Sequence, residues 1–407
     1  MNYRRLKYAC YTTNLSMSVI GSLQSLLFVS FRELYGISYS LLGTLVLINF
    51  CTQLGIDLIF SFYSHKFNIE KTVRMIPVIT AVGLLIYALY PLFFPETAYL
   101  GLTVGTIVFA SSGGLAEVLI SPVIAAIPAE NPEREMSKLH SIYAWGVVGV
   151  VIISTVFLKV FGGEDWYWLA ILWMLIPIVG AFLYHNQALP EMQTPEKSGN
   201  VVQLIKKPAF FLYFACIFLG GASECTMSQW SSSYLEKALN IPKVYGDIFG
   251  VAMFAVMLGL GRSLYAKYGK NVRRILFAGS IGAAICYLTA AFSNIALIGL
   301  IACALTGFCV SMLWPGSLVV ASDKFPAAGV AIFALMAAGG DLGASVGPQM
   351  VGVVTDVVMK NESLVTWAAS MGMTADQIGM KAGLLIAAVF PLVGIFVTGM
   401  LRREKKQ

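Results

Sequence analysis

The chain has 407 residues; 58% are hydrophobic, only 12% are charged, and 27 basic against 21 acidic side chains give a formal net charge of +6. Mean hydropathy is +0.78. Ordinary globular sequences are about a quarter charged, so a water-soluble domain is excluded. A membrane-spanning helix takes ~20 mostly apolar residues, and the apolar complement suffices for roughly twelve. Apolar runs longer than the ~10 residues of a barrel strand exclude an outer-membrane barrel and leave an all-α membrane protein.

From the N-terminus, Met1–Lys7 is basic, and the stretch Tyr8–Phe31 is long and lacks a clear small-x-small cleavage site, so it reads as a retained span. Apolar windows predict six spans near 9–31, 40–62, 73–94, 98–127, 139–160 and 166–186. A polar stretch from Gln187 to Lys207 precedes six more, near 209–235, 246–266, 274–293, 295–321, 327–357 and 382–401. The segment Met359–Lys381, with Trp367 and Asp376, is expected as an external loop or short interfacial helix. The expected organisation is a six-helix bundle over 1–186, a cytoplasmic linker over 187–208 and a second bundle over 209–407.

Of the 27 Lys and Arg, six (Arg32, Lys159, Lys237, Lys243, Lys360 and Lys381) fall at one set of span ends, Arg262 lies inside the eighth span, and the rest gather at the opposite ends. Basic loops stay inside, so both termini are expected in the cytoplasm, with the chain in the plasma or inner membrane. Basic residues dispersed among short loops do not point to nucleic acid. The seven cysteines sit in apolar stretches without Cys-x-x-Cys spacing and read as small buried hydrophobes. His65, His140 and His185 are far apart, so no metal and no cofactor is expected. No nucleophile is paired with a base, which argues against an enzyme.

Spacings recur between the halves. Gly114…Pro122 in the fourth span matches Gly307…Pro315 in the tenth at an offset of 193, and Gly146…Gly149 in the fifth matches Gly340…Gly343 in the eleventh at 194. Near-equal offsets point to two pseudo-symmetric six-helix bundles.

An ionised side chain at mid-membrane costs several kcal/mol, so each one kept there is a functional candidate. All but four of the 21 acids sit in loops or at span ends. At 1.5 Å per residue, Glu117 lies ~15 Å, Glu224 ~22 Å and Asp341 ~21 Å from the cytoplasmic end of their spans, in a core ~30 Å thick. Glu117 follows Gly113-Gly114, whose missing side chains admit a neighbouring helix or ligand; its shielding suits proton exchange or, alternatively, a permanent helix-to-helix hydrogen bond. Glu224 shares a helix face with Gly220, Ser228 and Ser231, suited to a hydrated cavity. Asp341, within Gly339-Gly340-Asp341-Leu342-Gly343, is read as a third proton-coupling acid or as half of a buried ion pair. Asp57, nearer the cytoplasmic end, is expected to form a structural gate network with Arg262. Sugars stack on aromatic rings and bond to amides and carboxylates, so the substrate candidates are Gln24, Asn49, Trp145, Glu224, Gln229, Trp230, Trp314 and Gln349.

At these residues the sequence resembles the fucose:proton symporter family of the major facilitator superfamily. The matching stretches are Gly113-Gly114-Leu115-Ala116-Glu117 with Ser121-Pro122, Leu139-His140-Ser141…Gly146…Gly149, Gly221-Ala222-Ser223-Glu224 with Trp230 and Tyr234, and Gly339–Gly343 with Gly347-Pro348. The resemblance implies proton-coupled sugar uptake, with Glu117 exchanging the proton. Two features depart from the family pattern: no Asp or Glu lies between Met1 and Phe31, and His65-Lys66-Phe67-Asn68 stands where the superfamily's loop signature has Asp-Arg-x-Gly. The expected function is a proton-coupled, alternating-access importer of a small polar solute, a monosaccharide or sugar derivative. The expected partners are that solute, protons and membrane lipid, for a monomeric protein. The alternative is a proton-driven exporter of amphipathic drugs or lipids.

Overall fold

The computed structural model describes residues 3–63, 66–128, 132–190, 206–325 and 330–403. Most of the expected linker, together with His65, Lys197, Lys405 and Lys406, lies outside the described residues, as do the side chains of Arg134 and His140. Among the described residues twelve helices are long and apolar enough to cross a membrane: Arg4–Tyr35, Tyr39–Phe60, Ile69–Phe93, Pro95–Ala126, Ser141–Phe161, Trp166–Tyr184, Pro208–Leu239, Lys243–Tyr265, Val272–Phe292, Ala296–Lys324, Leu335–Lys360 and Ala375–Arg403. They are called spans one to twelve below. Short polar caps set several ends. Asn68 accepts from the Lys71 amide and Asn271 from the Arg274 amide, and span one stops at Gly36, whose φ of 64° suits the left-handed cap.

The chain divides into two compact units, Met1–Gly36 with Ile48–Ser198, and Ile37–Leu47 with Gly199–Gln407. The first turns of span two thus belong to the second unit. In the first unit, span three packs along span four, where a Cβ on Gly105 would lie 2.7 Å from the Tyr87 backbone. Only glycine permits that approach. Around it, Phe31, Tyr87, Phe109 and Trp166 form an edge-to-face cluster, with Phe31 and Trp166 centroids 4.8 Å apart. In the second unit span seven packs along span eleven, with Gly347 against the Ala222 carbonyl.

The recurring glycines do equivalent work in the two units. Gly114 of span four lies against Gln53 of span two, and Gly307 of span ten against Phe254 of span eight. Likewise Gly146 of span five meets Ser18 of span one, and Gly340 of span eleven meets Gly221 of span seven. The offset read from sequence is a repeated packing contact.

Three elements depart from the expected pattern. Span ten is broken into Ala296–Val310 and Leu313–Lys324. Pro315 has no N–H for the Ser311 carbonyl four residues earlier, and Arg262 Nε donates to that carbonyl instead, at 3.1 Å. Span eight opens with a π-helical stretch, Gly246–Ala252, in which Asp247 is fully buried and accepts from Ser232 and, at 3.2 Å, from Lys243. Span twelve starts at Ala375 rather than 382, because Thr374 and Gln377 make a reciprocal capping box and Lys381 turns inward onto the Ser293 carbonyl and Asn294. Within the expected external segment a short helix, Glu362–Ser370, does form. Three cysteines depart as well: Cys51 is exposed, and Cys225 and Cys309 are half-buried rather than buried.

Candidate functional site

In the first unit, Asn49, Gln53 and Asp57 lie at steps of four along span two and therefore share one face. Gln53 Nε2 donates to Asn49 Oδ1 at 3.1 Å, and both side chains are buried. Span four meets this stripe at Gly114, where a Cβ would come within 2.9 Å of the Gln53 carbonyl and 3.0 Å of Asp57 Oδ1. The glycine admits span two. One turn further on, Glu117 brings a carboxylate oxygen within 4.8 Å of one from Asp57. Asp57 Oδ1 is buried without a hydrogen-bond partner.

This arrangement corrects one expectation. Glu117 is exposed rather than shielded, while the residues just before it, Ser112–Ala116, are buried. Within the first unit the charged neighbour of Asp57 is Glu117. The pair offers oxygen ligands alone, which suits a proton or a hard cation and not zinc. Two like charges this close repel, and one bound proton removes the repulsion. Gln53, whose carbonyl and amide shape the site, is not among the sequence candidates, although its spacing of four from both Asn49 and Asp57 is a signal that could have placed it there.

In the second unit Arg262 of span eight donates to both Glu224 oxygens, at 3.2 and 3.4 Å, and through Nε to the Ser311 carbonyl freed by the break in span ten. Glu224 is therefore one half of an ion pair, which conflicts with its expected proton exchange. Its helix face also divides. Gly220 is buried against Leu313 and Ser231 against Gly250, so only Glu224 and Ser228 retain part of their access. Asp341 is buried, and next to it Gly340 lies under the Trp314 ring.

The substrate candidates separate by burial. Gln24 donates to Thr106 Oγ1 at 2.7 Å, inside the first unit, and Asn49 accepts from Gln53. Trp230 is a correction: it is fully enclosed, donates to the Pro348 carbonyl at 2.9 Å and meets Tyr39 edge-on, so its ring serves packing. Gln229 is buried too. Trp314 is half-buried after the break in span ten, Gln349 is half-buried with Oε1 unbonded, and Trp145 is 71% exposed on span five. Another residue passed over as a span-end acid is Asp356, which accepts from the Tyr39 and Ser40 amides at 3.1 and 2.7 Å and so caps span two.

Twelve apolar helices in two six-helix halves, with carboxylates kept inside the spans, are the build of a polytopic membrane transporter. The profile of the Major Facilitator Superfamily matches residues 9–348, so the chain belongs to that superfamily. Solved structures share its fold. A nucleoside transporter, in a D323A variant, matches at TM-score 0.75 and 12% identity, over 98% of this chain and 100% of that one. A D-xylose–proton symporter matches at 0.70 and 16%, over 96% and 97%. The E. coli fucose:proton symporter matches at 0.63 and 13%, over 100% of both chains. No curated protein matches by sequence.

Proposed function

We propose that the protein is a proton symporter for a small polar solute, a monosaccharide or sugar derivative, and that Asp57 and Glu117 together carry the proton. The observation behind this reading is the pair itself: two carboxylates within 4.8 Å in membrane spans, one with a buried and unbonded oxygen. Such a pair holds one negative charge comfortably and two at a cost. Proton symporters for xylose and fucose among the solved structures of the same fold agree with it.

In this proposal the two halves, 1–186 and 209–407, alternate in access around a central solute site, joined by a cytoplasmic linker in a monomer. Both termini face the cytoplasm across the plasma or inner membrane. Trp314, Gln349 and the Glu224–Arg262 pair supply the polar and aromatic contacts for the solute, and Asp341 follows the glycine, Gly340, that lies under the Trp314 ring.

The test is uptake into proteoliposomes. An inward proton gradient should drive accumulation, and Glu117→Gln and Asp57→Asn should each abolish that drive while leaving downhill exchange. Indifference to the proton gradient together with dependence on a sodium gradient would assign the same two carboxylates to a cation instead. Accumulation driven outward by the gradient would turn the symporter into an exporter.

A further inference from the structure

Away from the carboxylates, the second unit contains a cavity of about 310 Å³ between spans eight, nine and ten. Its volume is in the range of small-ligand pockets. Leu264, Tyr265 and Tyr268 form one wall, Ile275 a second, and Phe308 and Met312, which flank the break in span ten, a third. Leu264, Tyr268, Ile275 and Phe308 are exposed, so the cavity is a groove with an open side. At one end the chain runs on through Lys267, Lys270 and Arg274, all exposed. None of the three has a carboxylate partner among the described residues, and Lys267 lies 5.1 Å over the ring of Tyr268, which itself lines the groove.

The first unit supplies a contrast. A groove of about 440 Å³ between spans three and six is as apolar, lined by Val78, Val82 and Phe182 among others. Two cations near it are engaged: Arg74 pairs with Glu70 and donates to the Gln187 carbonyl, and Arg5 donates to the Phe182 carbonyl. Of the two grooves, that of the second unit has an apolar trough beside three cations with no carboxylate partner among the described residues.

We propose that this groove seats an acyl chain of one anionic phospholipid from the surrounding bilayer, with the lipid phosphate held by Lys267, Lys270 and Arg274. Apolar walls within the span and a basic end at its mouth match an amphiphile of that polarity. Charge complementarity sets the occupant, since a zwitterionic lipid would fill the trough without engaging the three cations.

The experiment uses the full-length protein in neutral detergent, with lipid retention read by native mass spectrometry and stability by thermal shift. Phosphatidylglycerol should bind and raise the melting temperature more than phosphatidylcholine, and added salt should erase the difference in the wild-type protein. Replacing the three cations (K267Q, K270Q, R274Q) should weaken phosphatidylglycerol about fivefold per residue, on the order of 100-fold in all. A bulky Ala278→Trp in the groove wall should weaken both lipids. Equal binding of the two lipids, salt-insensitive binding, or full stabilisation by glycerol phosphate alone would each overturn the proposal. The salt titration needs no variant, so a triple variant that fails to fold leaves the test intact.

Discussion

In the first unit Asp57 and Glu117 stand within 4.8 Å of each other, whereas in the second Glu224 faces Arg262 at 3.2 Å. Both put ionisable groups inside membrane spans, yet they respond to a proton in opposite ways. Protonating the acid pair relieves repulsion; protonating Glu224 breaks an attraction and strands a cation. In the proposed mechanism the first arrangement is the one that takes up the proton, whereas in the second a cation already faces the acid. The difference divides acids that sequence alone treats alike.

The sharpest way to break that comparison is to neutralise each side. Asp57→Asn or Glu117→Gln should remove gradient-driven accumulation, and the double variant should be no worse than either single, because the two act as one proton site. Glu224→Gln with Arg262→Gln should weaken solute binding but leave the pH dependence of transport intact. Uptake across a series of pH gradients reads both results, and a pH response lost in the second variant alone would reverse the assignment.

A smaller effect concerns stability. Glu224→Ala leaves Arg262 without its counter-charge, and Arg262→Ala does the converse. Removing one partner of a buried pair costs ~3–5 kcal/mol, but the Arg262 side chain is 44% exposed, so about 1–2 kcal/mol is expected here. The double alanine variant should recover part of the loss. Thermal melts of the three variants measure the coupling, and strict additivity would mean that the pair contributes nothing.

Much of this architecture was legible in the chain. Span count follows from windows of ~20 apolar residues, and the Gly114/Gly307 and Gly146/Gly340 offsets turned out to be the same helix contacts in each unit. Local breaks were less legible. Pro315 marked a weakness in span ten, but the substitute donor for the Ser311 carbonyl, Arg262, lies 49 residues away. The sequence pattern starts span twelve at 382 because Asp376, Gln377 and Lys381 look like loop residues, although the structure uses Gln377 as a cap and Lys381 as an inward donor. Partner choice was the least legible of all: Glu224 and Arg262 are 38 residues apart, and nothing in their spacing selects that pairing over Asp57 with Arg262.

Asp356 gives a third setting for an acid, between the extremes of repulsion and pairing. It accepts from the first two amides of span two, whose opening turns belong to the second unit, and Tyr39 also donates through its hydroxyl to Asp376 at 2.8 Å. Asp356→Ala should cost ~1–2 kcal/mol, the usual value of a helix cap, with Asp356→Asn retaining most of it. Thermal melts rank the three proteins, and an asparagine variant as unstable as the alanine one would place the effect in charge rather than in capping.

The smallest effect lies outside the spans, at Glu135, where Oε1 accepts from Lys138 at 2.8 Å and Oε2 from Tyr11 at 3.1 Å, with Lys7 at 3.2 Å. These bonds, that of Lys138 foremost, hold the carboxyl at about 2 against an ordinary 4.5. A carboxyl depressed by folding stabilises the protein above its unfolded value and stops doing so as pH falls toward the folded one. The gap in thermal stability between wild type and Glu135→Gln should therefore be fully open above pH ~5 and close progressively as pH falls from 4.5 toward 2. Because Lys138 is 48% exposed and Lys7 25%, solvent screens the cluster, and the open gap should stay below ~1 kcal/mol. A gap that widened on acidification would mean that Glu135 is protonated in the folded protein, the behaviour assigned above to Asp57 and Glu117 and not to an acid surrounded by lysines.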